Sequence, residues 1–171
     1  MRTIGRGSAA SGARELVITC EHAGNRLPDW LDVRDSEQHW LETHWGYDIG
    51  AASVAETLVE RFDTVGIFAD FSRLVCDPNR PLESESWLRA HVEDDAPLAF
   101  NQQVSDEQRR ERERLWQQYH AAVDDGVTRV VDSGGAPLLF SVHSMTHEYC
   151  GDRRDMELSV VFSGHENIAR S

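Results

Sequence analysis

The sequence predicts an α/β domain with a mostly parallel or mixed sheet between helices. Short, continuously apolar runs of strand length recur along the chain, and between them lie segments whose apolar residues repeat at three and four. Strand, helix, strand, helix, strand in that order places helical layers against one sheet.

Each element has its own warrant. Residues 1–13 are small and polar and read as a flexible lead-in, leaving residues 14–171 as the domain. Leu16-Val17-Ile18-Thr19-Cys20 is apolar throughout, as a buried parallel strand is. It stops at the polar loop Glu21–Asn25, which Pro28 keeps non-helical. From about Tyr47 to Phe62, the residues Ala51, Ala55, Leu58 and Phe62 form a helical stripe. Val65–Ala69 is a second strand, followed by a loop running from Ser72 to Pro81. Residues 82–104 lack periodicity and are expected to cross the surface. Ser105 and Gln108 make a capping box that opens the clearest helix. Its inner face is Leu115, Tyr119, Val123, Val127 and Val130, and Gly134-Gly135 ends it. Leu138–Val142 and Leu158–Phe162 are the last strand candidates.

Composition narrows the function. With 17 basic and 30 acidic side chains in 171 residues, the net charge is −13. One acidic domain fits that length, and a nucleic-acid backbone is excluded as a partner. Every basic residue is Arg, so neither a Schiff-base lysine nor a P-loop lysine is available. No apolar run approaches the ~20 residues needed to cross a bilayer, and no signal peptide is evident. Cys20, Cys76 and Cys150 are sparse and form no CxxC pair, which suits reduced thiols in a cytoplasmic protein.

Ligands of parallel sheets bind beyond the carboxyl ends of the strands. The loops expected there carry Glu21-His22, then Arg73 and Asp77-Pro78-Asn79-Arg80, then His143-Ser144. His22 and His143 each follow a strand, so they either share a metal ion or cap their strands by hydrogen bonds. Asp48, read as lying in the first turn of its helix, is either a third ligand or an acid placed to suit the helix dipole. His44 is a further candidate ligand. Arg73 and Asn79-Arg80 suit recognition of an anion, or a surface turn with Arg paired to an acid. The run Arg109–Arg114 alternates in charge and reads as a solvated helix face. His120 reads as packed or exposed. His143 and His147 are four apart but lack an HExxH context.

In order along the chain come Cys20-Glu21-His22-Ala23-Gly24-Asn25 with Pro28, then His44 through Gly50-Ala51. Ser72-Arg73-Leu74-Val75 with Asp77-Pro78-Asn79-Arg80 follows, and Ser141-Val142-His143-Ser144 closes the series. This series resembles the N-formylglutamate amidohydrolase family over roughly residues 15–162, and Asn101, Arg109, Tyr119 and His120 fit its middle portion. The resemblance implies a three-layer α-β-α fold related to zinc-dependent carboxypeptidases. It implies hydrolysis of N-formyl-L-glutamate, or a similar N-acyl acidic amino acid, to the free amino acid and formate or another carboxylate, in histidine breakdown. It implies Zn²⁺ or another divalent cation on His22 and His143, with Asp48 as third ligand and Glu21 or His44 as alternatives. Asn25 stands where carboxypeptidase-like relatives place a ligating Glu. Asn79, Arg80 and Ser144 would grip the substrate, and Arg73 would stabilise the oxyanion. Family members usually extend beyond the position of Ser171, where a late strand in related peptidases carries the general base. The expectation is therefore a C-terminally shortened member, with Glu148, Glu157 and Glu166 as substitutes for that base. The competing expectation is a shortened relative that binds zinc or a small dicarboxylate without turnover. The expected partner is a small acidic substrate, with neither nucleic acid nor membrane.

Overall fold

The computed structural model describes residues 1–5, 14–149 and 151–162. The elements are β1 (Arg2–Ile4), β2 (Arg14–Cys20), α1 (Asp35–Gln38), α2 (Ala51–Phe62), β3 (Val65–Phe68), α3 (Ala99–Gln102), α4 (Asp106–Asp132), β4 (Ala136–Ser141), β5 (Glu148–Tyr149) and β6 (Asp152–Arg153). Short 3₁₀ turns cover His39–Glu42, Glu85–Trp87 and Glu93–Asp95.

Among the described residues the main sheet is mixed, in the order β1-β3-β2-β4. β2 runs parallel to β3, with Val17 opposite Val65 and Cys20 opposite Phe68. It also runs parallel to β4, with Leu16 opposite Leu138 and Thr19 opposite Ser141. The pleat sends successive side chains to opposite faces. Val17, Val65 and Ile67 therefore meet α4 through Tyr119 and Val130. Ile18, Cys20 and Phe68 meet α2 through Ala51, Ala55 and Val59. Helices thus cover both faces of the sheet.

The helix α4 is the best-specified element. Ser105 Oγ accepts the Gln108 backbone N–H while the Gln108 side chain accepts that of Ser105, so the capping box forms as predicted. The helix ends where Gly134 turns to a φ of 82°. Within it, Gly126 lets the backbone approach the sheet: a Cβ there would lie 3.1 Å from Ile67 Cδ1 and 3.4 Å from Val17 Cγ1. Gly126→Val is expected to cost about 1–3 kcal/mol by overpacking, read as a lower urea midpoint. Gly126→Ala should sit near wild type, since its contact is offset by roughly 1 kcal/mol of helix propensity.

Several expectations need correction. The lead-in assigned to residues 1–13 begins with a strand: β1 pairs antiparallel with β3, Arg2 opposite Phe68. Pairing to a sheet edge, which local composition does not encode, orders those residues. Residues 6–13 lie outside the described residues. The stretch 82–104 does not simply cross the surface, because Trp87, Leu98 and Asn101 are buried. Isolated large side chains fill gaps there without needing a period. Arg109–Arg114 is not uniformly solvated, since Arg112 is 0% exposed on the same helix face as Tyr119. The helix near Tyr47 begins only at Ala51, which leaves Asp48 in the preceding turn rather than in the first turn of the helix. Leu158–Phe162 forms no strand, with Leu158 83% and Val161 92% exposed. Strand propensity becomes a strand only where a neighbour supplies the ladder. Of Leu138–Val142, the residues Leu138 to Ser141 fall in the strand β4, at the edge of the sheet among the described residues, with Leu139 and Phe140 about half exposed. No helix among the described residues is long and apolar enough to cross a membrane.

Candidate metal centre

The parallel strands β2, β3 and β4 all point their carboxyl ends at one place, and the loops there are sewn together by the backbone. Asp48 N–H donates to His22 C=O at 2.9 Å, fixing the turn before α2 against the end of β2. Gly46 C=O, in that same turn, accepts Ser72 Oγ at 2.9 Å and Arg73 N–H at 3.0 Å from the loop after β3. Val142 N–H donates to Thr19 C=O at 2.8 Å and carries the β4 pairing one residue further, which delivers His143.

His22, Asp48 and His143 consequently meet. Each offers a ligand atom within 4.8 Å of the others. Asp48 Oδ2 lies 2.8 Å from His143 Nδ1 and 3.5 Å from His22 Nδ1. The two imidazole rings stand 5.0 Å apart, tilted by 59°. Each ring also has its outer nitrogen against a carboxylate. His22 Nε2 is 2.8 Å from Asp77 Oδ1, and His143 Nε2 is 3.3 Å from Glu21 Oε2.

The donor set fits a divalent cation on its chemistry and on one further observation. His22 Nδ1 is buried and has no hydrogen-bond partner. Buried polar atoms are almost always satisfied, so an orphan aimed at a carboxylate marks a place for a ligand. Burial lowers the His22 pKa, the charges of Arg73 and His143 add to that, and Asp77 pulls the other way without prevailing. The ring therefore stays neutral, with its Nε2–H on Asp77 and a free electron pair at Nδ1.

The rest of the site surrounds Asp48 with positive or donor groups. Arg73 Nη2 pairs with Asp48 Oδ1, His44 Nε2 stands 3.4 Å from the same oxygen, and Ser144 N–H donates to Oδ2 at 3.2 Å. Burial, with the charge of Arg73 beside it, holds His44 down at about 4. Arg73 falls to about 10, through burial first and then the nearby Arg89 and Arg80, and it remains a cation at neutral pH. Asp77 keeps its pKa low despite burial, because His22 and the Asn79 backbone N–H both donate to it. Arg80 is 51% exposed at the rim, with its Nε 4.0 Å from Asp77 Oδ2, and Asn79 is exposed beside it.

Glu21 was an alternative third ligand, and the geometry turns it elsewhere. Tyr119 O–H donates to Oε1 at 2.9 Å and Ser141 Oγ to Oε2 at 2.5 Å. Burial alone would raise its pKa, but the nearby His143 imidazole and the Ser141 hydroxyl outweigh it and hold the group at about 2. A depressed native pKa contributes stability that is complete above the ordinary carboxyl value and fades as pH falls toward about 2. Glu21→Gln, which cannot titrate, should lose stability less steeply across that acid window in chemical melts followed by circular dichroism.

Of the remaining histidines, His120 packs its ring 3.8 Å from that of Trp116 and bonds Pro78 C=O, so it is structural. His147 is exposed in a non-helical segment. His165 and Glu166 lie outside the described residues, as does Cys150. The sequence reading missed Asp77 as a partner of His22, and Tyr119 and Ser141 as partners of Glu21. A phenol on the inner face of α4 was the one available signal, because a buried hydroxyl requires a partner.

The sequence profile of N-formylglutamate amidohydrolases matches residues 14–169. An N-formylglutamate deformylase from Pseudomonas putida is 26% identical over 178 residues, covering 90% of this chain and 61% of its own. The crystal structure of the gene product Atu2144 from Agrobacterium tumefaciens superposes with a TM-score of 0.75 at 28% identity, covering 84% of this chain and 57% of its own. This chain thus spans less than two thirds of either relative's length. With four ordered motifs gathered at one sheet end and the profile matched over nearly the whole domain, the chain belongs to the N-formylglutamate amidohydrolase family.

Proposed function

We propose that this chain hydrolyses the amide bond of N-formyl-L-glutamate, or of a similar N-acyl acidic amino acid, at a divalent cation held by His22, Asp48 and His143. The observation that carries this reading is the convergence of two Nδ1 atoms on Asp48 Oδ2, one of them buried without a partner. A zinc ion held there would supply Lewis-acid polarisation of the amide carbonyl and acidify a water. The protein's own groups do the rest. Arg73 Nε–H is buried and unpartnered, so an amide oxygen gaining charge beside it would find a ready donor. Arg80 and Asn79, with Ser144, would take the substrate carboxylate. Guanidinium binds carboxylate through paired hydrogen bonds. Arg80 and Arg89 lie close enough to Arg73 to lower its pKa, so three guanidinium groups gather locally in a chain of net charge −13. A sheet with its candidate ligands at the carboxyl edge supports kinship with zinc-dependent carboxypeptidases. A step of histidine breakdown would suit a cytoplasmic setting.

A second reading has its own support. Among the described residues, Glu148 and Glu157 are exposed and Glu21 is held by the Tyr119 and Ser141 hydroxyls. A chain lacking a general base would lose ~10²–10⁴-fold in rate while still binding zinc and a dicarboxylate. Metal analysis combined with a formate-release assay tests both readings. One zinc per chain with release of formate from N-formyl-L-glutamate supports hydrolysis. Zinc without formate at high enzyme concentration supports the binding protein, and no zinc overturns both. Asp77→Asn is expected to weaken zinc binding about 10–100-fold, as loss of a histidine's carboxylate partner typically does. Competition with a chromophoric chelator measures it.

A further inference from the structure

Arg89 differs from the other cations of the site in having no acid to neutralise it. Arg73 pairs with Asp48, and Arg80 lies against Asp77 at 4.0 Å. Among the described residues, no carboxylate stands within ion-pair distance of Arg89. In a chain of net charge −13, a half-buried guanidinium left without an acid marks a place for an anion from outside.

Its position is built from several directions. The stretch that carries it is bonded to the loop of Arg73 and Asp77. Asp77 N–H donates to Trp87 C=O at 2.9 Å, and the buried Asn101 amide donates to Leu74 C=O and Arg89 C=O at 2.8 Å each. The guanidinium lies over the Trp45 ring, 5.3 Å from its centroid, and Trp45 belongs to the turn that bears His44 and Asp48. Its charge reaches Arg73, whose pKa it helps to lower. A cation–π contact uses no oxygen acceptor, so the N–H fork stays available to a carboxylate.

The reading above places one substrate carboxylate on Asn79, Arg80 and Ser144, whereas an N-acyl acidic amino acid carries two. We propose that Arg89, seated on Trp45, takes the second, the side-chain carboxylate, and so selects acidic over neutral N-acyl amino acids. The inference rests on that reading of the substrate. Every N-acyl amino acid has the α-carboxylate, so selection for acids requires a further cation.

N-formyl-L-glutamate and N-formyl-L-glutamine have nearly the same shape and differ by that charge. Two readouts compare them: affinity of the metal-free chain by calorimetry, which needs no turnover, and kcat/KM of the zinc-loaded chain. Wild type should favour the glutamate compound about 10–100-fold, the worth of hydrogen bonds to a charged group. In Arg89→Gln that ratio should fall to near one. Arg89→Lys keeps a charge without the fork. It should retain part of the ratio, and it carries the test if Arg89→Gln does not fold. A chain that binds without turnover is decided by calorimetry alone. A ratio left at its wild-type value in Arg89→Gln overturns the inference, even where both affinities fall together, because a structural role would do that. Wild type that binds both compounds alike overturns it too. Wild type that binds neither and releases no formate defeats the substrate reading itself, and this inference with it.

Discussion

His143→Ala is expected to purify without stoichiometric zinc, with native circular dichroism and with formate release reduced by more than ~100-fold. Losing a mere partner of a ligand costs about 10–100-fold, so losing a ligand must exceed it. This substitution is the cleaner of the two possible histidine deletions, because the ring is one-third exposed and its removal opens little space in the core. His22→Ala should lose zinc as completely, but it also vacates a buried site and takes from the Asp77 carboxylate one of its two donors. Removing one partner of a buried polar group costs about 1–3 kcal/mol. His22→Ala should therefore melt earlier as well, whereas His143→Ala should melt close to metal-free wild type. Full zinc occupancy in both variants, by elemental analysis of the purified proteins, would refute the assignment.

Arg112→Met should be the most destabilising substitution outside the site, at about 3–5 kcal/mol. Arg112 is wholly buried, yet its named partners are neutral oxygens. Nε donates to Val75 C=O at 2.9 Å, and Nη2 to Phe100 C=O and Asn101 Oδ1 at 3.0 Å each. Its guanidinium also stands 5.6 Å from the Trp30 ring centroid. Stranding each buried acceptor costs roughly 1–3 kcal/mol. For a domain of this size about 2–4 °C per kcal/mol follows, a fall of roughly 6–20 °C in melting temperature. Arg112→Lys should recover less than half, because a point ammonium cannot span three acceptors set for a planar fork. Melting at the wild-type temperature would show that these bonds contribute nothing net. Val75 belongs to the loop that bears Arg73 and Asp77, so the loss of Arg112 should also weaken zinc binding.

How much of this was legible depended on whether the determining contacts were local. The inner strands and α4 announce themselves through side chains a few residues apart, and the capping box at Ser105 is a purely local device. His22 and His143 were readable as a pair because topology sends consecutive parallel strands to a common end. Asp77 was visible as part of a motif, but its bond to His22 bridges 55 positions and depends on register. The Tyr119–Glu21 bond bridges 98 positions and depends on how α4 crosses the sheet. Arg112 misled for a related reason: alternating charges look solvated until the helix face is known. At β1 and at residues 158–162 composition pointed the wrong way, because the presence or absence of a neighbouring strand decided the outcome.

The triad joins the end of β2, the turn ahead of α2 and the segment after β4, three places remote from one another along the chain. A cation seated among them acts as a cross-link that the unfolded polypeptide does not possess, so its affinity adds directly to folding. At a thousandfold excess over the dissociation constant that is ~4.1 kcal/mol, comparable to the whole margin of many domains, 5–15 kcal/mol. The lifetime of the protein against cellular proteases should therefore rise and fall with the supply of that ion.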